Sequence, residues 1–263
     1  MEKYMGYRAA DRGTTWAGFY NEAVKPIHPA AAEALEKCPL PAGSLPPVEQ
    51  ATGLQKSGYT AFETGYTLEK DGSLRVAVLT PMPGVSPEMW DWWFGWHGCL
   101  DSRYKLWHPL AHRSAVWQDG RDETGYVGRV SQIEEYIGKN LEKANIAFCD
   151  PRDLGFPPAA LADKTRVVYI CARVGYTRLP LDFGWLVHQI RRTDDGAEMR
   201  SRFWMGGRHV RPRWRRLPGF CSALLQKAAR LPERQAVDLL HHCSEEMNHL
   251  AGFLPELYKT HHL

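Results

Sequence analysis

The 263-residue chain has no Cys-x-x-Cys pair; its six cysteines, Cys38, Cys99, Cys149, Cys171, Cys221 and Cys243, stand far apart. That pattern argues for free thiols in a reducing compartment. No apolar run is long enough to cross a bilayer, which excludes a membrane helix. The first thirteen residues are polar and lack the apolar centre of a secretion signal. A large excess of one charge is also missing: the net charge is +3, from 33 basic and 30 acidic residues. No bulk electrostatic case for nucleic acid follows. There is no internal repeat and no low-complexity tract. These absences leave a cytoplasmic globular protein with neither a membrane nor a nucleic-acid partner. Its length suits one large domain, or one domain with a smaller lobe.

Aromatic residues, in contrast, are plentiful. There are ten tryptophans and eleven tyrosines. Four of the tryptophans crowd into Trp90–Trp96, with Trp107 close behind. Such residues build cores and also wall pockets for flat ligands. Residues 1 to about 70 show little periodicity apart from a short helix over Ala30–Lys37, and the Pro/Gly-rich run Pro39–Pro47 reads as a loop or linker. A strand is expected over Leu74–Thr80, stopped by Pro81 and Pro83. Ser86 and Pro87 open a helix as N-cap and first residue, running to Trp96.

Leu100–Gly120 is mixed in pattern. Within it, His108 precedes Pro109 and suggests a helix start. Like His97, it is expected to be a capping or helix-face histidine. Strands follow over 126–137, 144–148, 166–174, 183–191 and 198–205. Asp194-Asp195-Gly196 marks a hairpin between the last two. Helical sequence then continues from Pro218 to about Leu250, divided by Pro232. Strands in succession before a long terminal helix indicate an α+β fold, a curved antiparallel sheet closing over that helix.

Periodicity selects the chemically interesting side chains. On the terminal helix, Leu239, Leu240, Cys243, Met247 and Leu250 form the apolar stripe. His242 and Glu246, four apart, sit at its edge and can point into one volume, with His249 nearby. An imidazole and a carboxylate converging in this way suit a divalent metal. The competing pair, His241 and Glu245, rotates toward solvent. The plain alternative for His242 and Glu246 is an exposed pair that stabilises the helix. Along the strands, Leu186, His188 and Ile190 share a face, as do Met199, Ser201, Phe203 and Met205. Ile133, Glu135 and Ile137 share another, with Glu134 opposite. A carboxylate between two isoleucines is costly to bury unless a cation satisfies it, although a strand end or sheet edge would equally excuse it. The arginine run Arg208, Arg211, Arg213, Arg215 and Arg216 reads as a solvated loop or one wall of an anionic substrate's entrance.

Several ordered motifs together resemble one family, the 2,4-diacetylphloroglucinol and phloretin hydrolases. They are Trp92-Trp93-Phe94-Gly95-Trp96-His97, then Arg103-Tyr104-Lys105-Leu106-Trp107-His108-Pro109 with His112, then Glu134-Glu135-Tyr136-Ile137-Gly138. Arg200–Gly206, His242–Met247 and Leu254–Tyr258 complete the set. The resemblance spans roughly Thr64 to Tyr258. It implies a helix-grip, Bet v1-like catalytic domain over residues 71–263, and a small N-terminal lobe over 1–70 that pairs subunits into a homodimer. It also implies a Zn2+-dependent hydrolase that cleaves the carbon–carbon bond between an acyl group and a polyhydroxylated aromatic ring. The substrate would be a small phenolic ketone of the acylphloroglucinol type.

Carried over, the metal ligands are His112, Glu135, His242 and Glu246. Motif shape and alternation favour Glu135, while an ungapped count to His188 favours Glu134, so Glu134 stays as the alternative. His188 matches the family's second-sphere histidine and would move protons near the ring. Tyr104 would hydrogen-bond a phenolic oxygen, and Trp107 would form part of the apolar wall. A substrate-contacting tyrosine of the family falls at Phe203 here, which removes a hydroxyl donor. Two rival functions stay open: a non-catalytic binder of aromatic or apolar small molecules on the same fold, and a related zinc lyase or acyl transferase.

Overall fold

The structure is a computed structural model and describes residues 6–123, 125–213 and 219–262. After a short helix α1 (Pro29–Glu36), the chain forms β1 (Gly65–Leu68), β2 (Ser73–Pro83), α2 (Pro87–Trp96) and α3 (Asp101–Trp107). Then follow β3 (His112–Trp117), β4 (Val130–Ile137), β5 (Asn140–Cys149), β6 (Val167–Tyr176), β7 (Leu181–Arg192), β8 (Gly196–Gly206) and β9 (Arg211–Pro212). Three helices end the chain: α4 (Gly219–Ala228), α5 (Glu233–Ala251) and α6 (Leu254–His261). The strands make one antiparallel sheet in the order β1-β2-β8-β7-β6-β5-β4-β3, with β9 paired to β7. Helix α5 touches β1 and β2 at one end of this order and β4 near the other. The sheet therefore curls around α5, the helix-grip arrangement.

Both faces of the sheet are covered. On the concave face, Leu240, Cys243, Met247 and Leu250 of α5 pack with Trp90, Trp93, Ile170 and Met199, all essentially inaccessible. On the convex face, Ala51 and Leu54 pack with Phe156, Tyr169, Val187 and Trp204 in a second core. The Pro39–Pro47 run is part of this cover, since Leu45 is buried and the Trp204 indole donates to the Pro46 carbonyl at 2.9 Å. Burial on both sides explains why β7 and β8 bury Gln189, Arg200 and Arg202.

Those two arginines meet one acid. Glu63 accepts from Arg200 at 2.7 and 2.9 Å and also from Arg202. Burial alone would raise the Glu63 carboxyl, but Arg200 and Arg202 hold it down at about 2, against an ordinary 4.5. Glu63→Ala would leave two guanidinium groups buried without their counter-ion, an expected loss of about 3–5 kcal/mol readable as a lower urea midpoint. The folded value lies below the unfolded one. This contribution is therefore present in full above about pH 4.5 and lost as the pH falls toward about 2.

Two expectations from the sequence need correction. The strand expected over 126–137 starts at Val130, because Gly128 adopts a left-handed φ of 82° and turns the chain. His108 follows a helix instead of opening one. It ends α3 with extended backbone, since Pro109 disfavours the helical region for its predecessor. Its carbonyl then accepts from the Ala111 and His112 amides, a turn that leads into β3. The sheet begins with β1, which pairs with β2. Of the arginine run, Arg208 pairs with Glu49 at 2.7 Å and Arg213 with Asp182 at 2.9 Å. Arg215 and Arg216 lie outside the described residues. Cys38, Cys99, Cys149, Cys171 and Cys243 are free thiols. No helix among the described residues is long and apolar enough to cross a membrane.

Candidate metal centre

Two neighbouring strands and the long helix supply the centre. His112 opens β3 and stands opposite Glu135 of β4 in the antiparallel register. A bulge between His112 and Ser114 resets the pairing there. From the other side, α5 presents His242 and Glu246, one turn apart. The His112 Nε2 atom lies 3.4 Å from Glu135 Oε2 and 3.2 Å from Glu246 Oε2. His242 Nε2 lies 3.7 Å from each of the same two oxygens. Glu134 points away and pairs with Lys143 and, at 3.6 Å, with Arg113. The competing helix pair, His241 and Glu245, forms a 3.2 Å ion pair with half-exposed His241.

Hydrogen bonding fixes what these atoms offer. His112 Nδ1 sits 3.0 Å from the Tyr104 carbonyl, which can only accept, so Nδ1 carries the proton. Nε2 is then a bare lone pair aimed at two carboxylate oxygens. That contact is repulsive unless a cation or a carboxyl proton lies between them. Consistently, His112 Nε2 and His242 Nε2 are both buried without a hydrogen-bond partner. Tyr104 supports the arrangement three ways. Its ring stacks on His112 at 3.9 Å, its carbonyl sets the tautomer, and its hydroxyl donates to Glu135. His108 stacks on the opposite side, its ring 5.2 Å from that of His242.

The charge balance agrees. Burial pushes His112 well below its ordinary value and keeps it neutral. Burial also pushes Glu246 up to about 8, helped by the Glu135 charge. Burial would lower His242, but the Glu246 and Glu135 charges outweigh it and lift the ring to about 9. A cation bound among these groups would displace their protons. Two imidazole nitrogens and carboxylate oxygens in a buried volume fit a divalent cation of the first transition row. His112, Glu135 and His242 each offer a ligand atom within 4.8 Å of the others.

The centre opens onto a cavity of about 80 Å³ under the concave face. Tyr104, Trp107, His188 and Phe203 all line it, as does His97. His188 is buried, its Nδ1 lies 2.8 Å from Ser201 Oγ, and burial pulls it down to about 3. His97, expected to be a plain helix-face residue, faces the cavity as well. Its Nδ1 donates to the Trp93 carbonyl at 2.8 Å, so Nε2 carries a lone pair. Burial drops it to about 4. A return from the end of α2 into the cavity has no signature in a single sequence, so nothing in the pattern could have separated His97 from a core histidine.

The sequence profile of the DAPG hydrolase PhiG domain matches residues 45–259, most of the chain. The chain belongs to that family. Among similar proteins, a 2,4-diacetylphloroglucinol hydrolase of Pseudomonas protegens is 27% identical, over 98% of this chain and 89% of that protein. A phloretin hydrolase of Eubacterium ramulus is 25% identical, over 97% of this chain and 93% of that protein. The structure titled as that of Ara h 8.0201 aligns with 70% of this chain and 99% of that one, at 11% identity and a TM-score of 0.43.

Proposed function

We propose that this family member is a zinc-dependent hydrolase that cleaves the bond between an acyl carbon and a polyhydroxylated aromatic ring, releasing a phenol and a carboxylic acid. The observation that carries the proposal is the pair of buried, unpartnered ring nitrogens facing two carboxylates at the wall of an aromatic-lined cavity. The activities for which the relatives are named supply the reaction class. His112, Glu135, His242 and Glu246 would hold the ion. When bound, zinc supplies Lewis acidity toward an acyl oxygen and toward water.

The remaining work falls to the chain's own groups. An aryl ring cannot leave as a bare carbanion, so the ring carbon bearing the acyl group must first gain a proton. In the tautomer that donates Nδ1–H to Ser201, neutral His188 takes a ring hydroxyl proton at Nε2 and delivers it to that carbon. The ring is then a β-dicarbonyl. Water adds to the acyl carbon, the carbon–carbon bond breaks, and its electron pair returns to the ring as an enolate that picks up a proton to give the phenol. His97 Nε2 accepts a second ring hydroxyl and orients the ring. Trp107 and Phe203 exclude water from its faces.

The test is metal content together with an assay on an acylphloroglucinol, with and without a chelator, in oxygen-18 water. About one zinc per chain and chelator-sensitive release of an acid carrying solvent oxygen are expected. Release of the phenol with the acyl group on another acceptor, and no free acid, would replace hydrolysis with acyl transfer. A protein purified without metal that still binds the ketone would make it a binding module.

A further inference from the structure

We infer that the cavity continues past the metal centre into a second, apolar chamber that takes the acyl chain, so that acylphenols with an extended apolar acyl group are the preferred substrates. This rests on the hydrolase reading above. The second chamber, about 100 Å³, is lined by Leu74, Ala144, Val174, Phe183, Met205 and Leu231, with Gln235, Glu142 and the shared Glu135 as its polar residues. Glu135, Leu186, Phe203 and Leu239 line both spaces and form the waist between them.

The two sides of the waist differ in chemistry. The inner side carries the groups that suit ring hydroxyls: Tyr104, His97, His188 and Ser131. The outer side is walled by apolar side chains from β2, β5, β6, β7 and β8. Glu135 belongs to both, so the metal centre, whose His242 and Glu246 line the inner side, borders the junction through this carboxylate. A ketone whose carbonyl is held there has its two substituents on opposite sides. The hydroxylated ring matches the inner side and the acyl chain the outer. Each space is several times the roughly 10–15 Å³ that one water needs. The chamber is also the side nearer solvent, because Leu231, Gln235, Phe183 and Glu142 are partly exposed while His97, Trp107 and His188 are buried. Chain length is therefore read at the entrance, by Phe203 and Leu239 at the waist and by the chamber beyond.

The experiment uses 2-alkylphloroglucinols with ethyl, butyl and hexyl chains, which bind but lack the cleavable carbonyl, titrated calorimetrically into the metal-loaded protein. Affinity should rise roughly three- to fourfold per methylene, the ~0.8 kcal/mol of a buried CH2. Ala144→Leu and Val174→Phe fill the chamber from its strands. Each should lower the hexyl-to-ethyl affinity ratio at least tenfold. Leu231→Trp, at the partly exposed rim, serves the same purpose if a core substitution upsets folding. An affinity independent of chain length, or a ratio unmoved by these variants, overturns the chamber. A rising series without cleavage of the matching acylphloroglucinols upholds the chamber and removes the hydrolase reading. Cleavage of the acetyl compound with a flat series does the reverse.

Discussion

His242→Ala is expected to remove both metal and turnover while leaving the chain folded. Removing the imidazole leaves the apolar stripe of α5, Leu240, Cys243, Met247 and Leu250, untouched. It takes with it one of the two nitrogens at the centre, and it leaves Glu135 and Glu246 facing His112 alone. Zinc content should fall from about one per chain to near zero, and kcat/KM by at least about a thousandfold, or ~4 kcal/mol. His241→Ala is the control, because that ring is half-exposed and pairs only with Glu245. It should keep metal and activity. Normal zinc content in His242→Ala would sink the ligand assignment. The two glutamates of β4 give the companion comparison. Glu135→Gln should weaken metal retention, whereas Glu134→Gln disturbs only contacts with Lys143 and Arg113.

The residues at this centre were unevenly visible in the sequence, for reasons that can be named. The helical period placed His242 and Glu246 at the edge of a stripe and turned the competing pair, His241 and Glu245, outward, because α5 buries one face. Alternation put Glu135 with Ile133, and the structure turns both toward the cavity. His112 is different. It opens an edge strand whose bulge breaks the period of two, and Arg113, Ser114 and Val116 reach outward. Only the motif resemblance pointed to it. The convex cover was invisible for another reason. A Pro/Gly-rich stretch reads as a linker whether or not a sheet lies beneath it, and Arg200 and Arg202 look like surface residues until Glu63 is placed beside them. Pairing rules connect strands, but no local rule connects residue 63 to residue 200.

His188→Ala should separate chemistry from metal binding. No metal-centre distance involves this ring. It sits on β7, bonded to Ser201 and stacked at 5.7 Å on Phe94. Zinc content should therefore stay at about one per chain. Turnover should fall by about 10²–10⁴, the range for loss of a positioned proton-transfer group. The fall should appear in kcat more than in KM, because the ring hydroxyls still have His97 and Tyr104 to meet. Burial holds His188 near 3, so it is neutral across the working range and acts as a base first. The rate should then show no loss on the acid side from His188 itself until well below pH 5. His188→Gln keeps a polar group of similar reach that can bond Ser201 but cannot relay a proton. It should restore KM and leave kcat low. If His188→Gln or His188→Ala keeps the wild-type kcat, the imidazole is only a wall of the cavity, and the proton must reach the ring from His97 or from water.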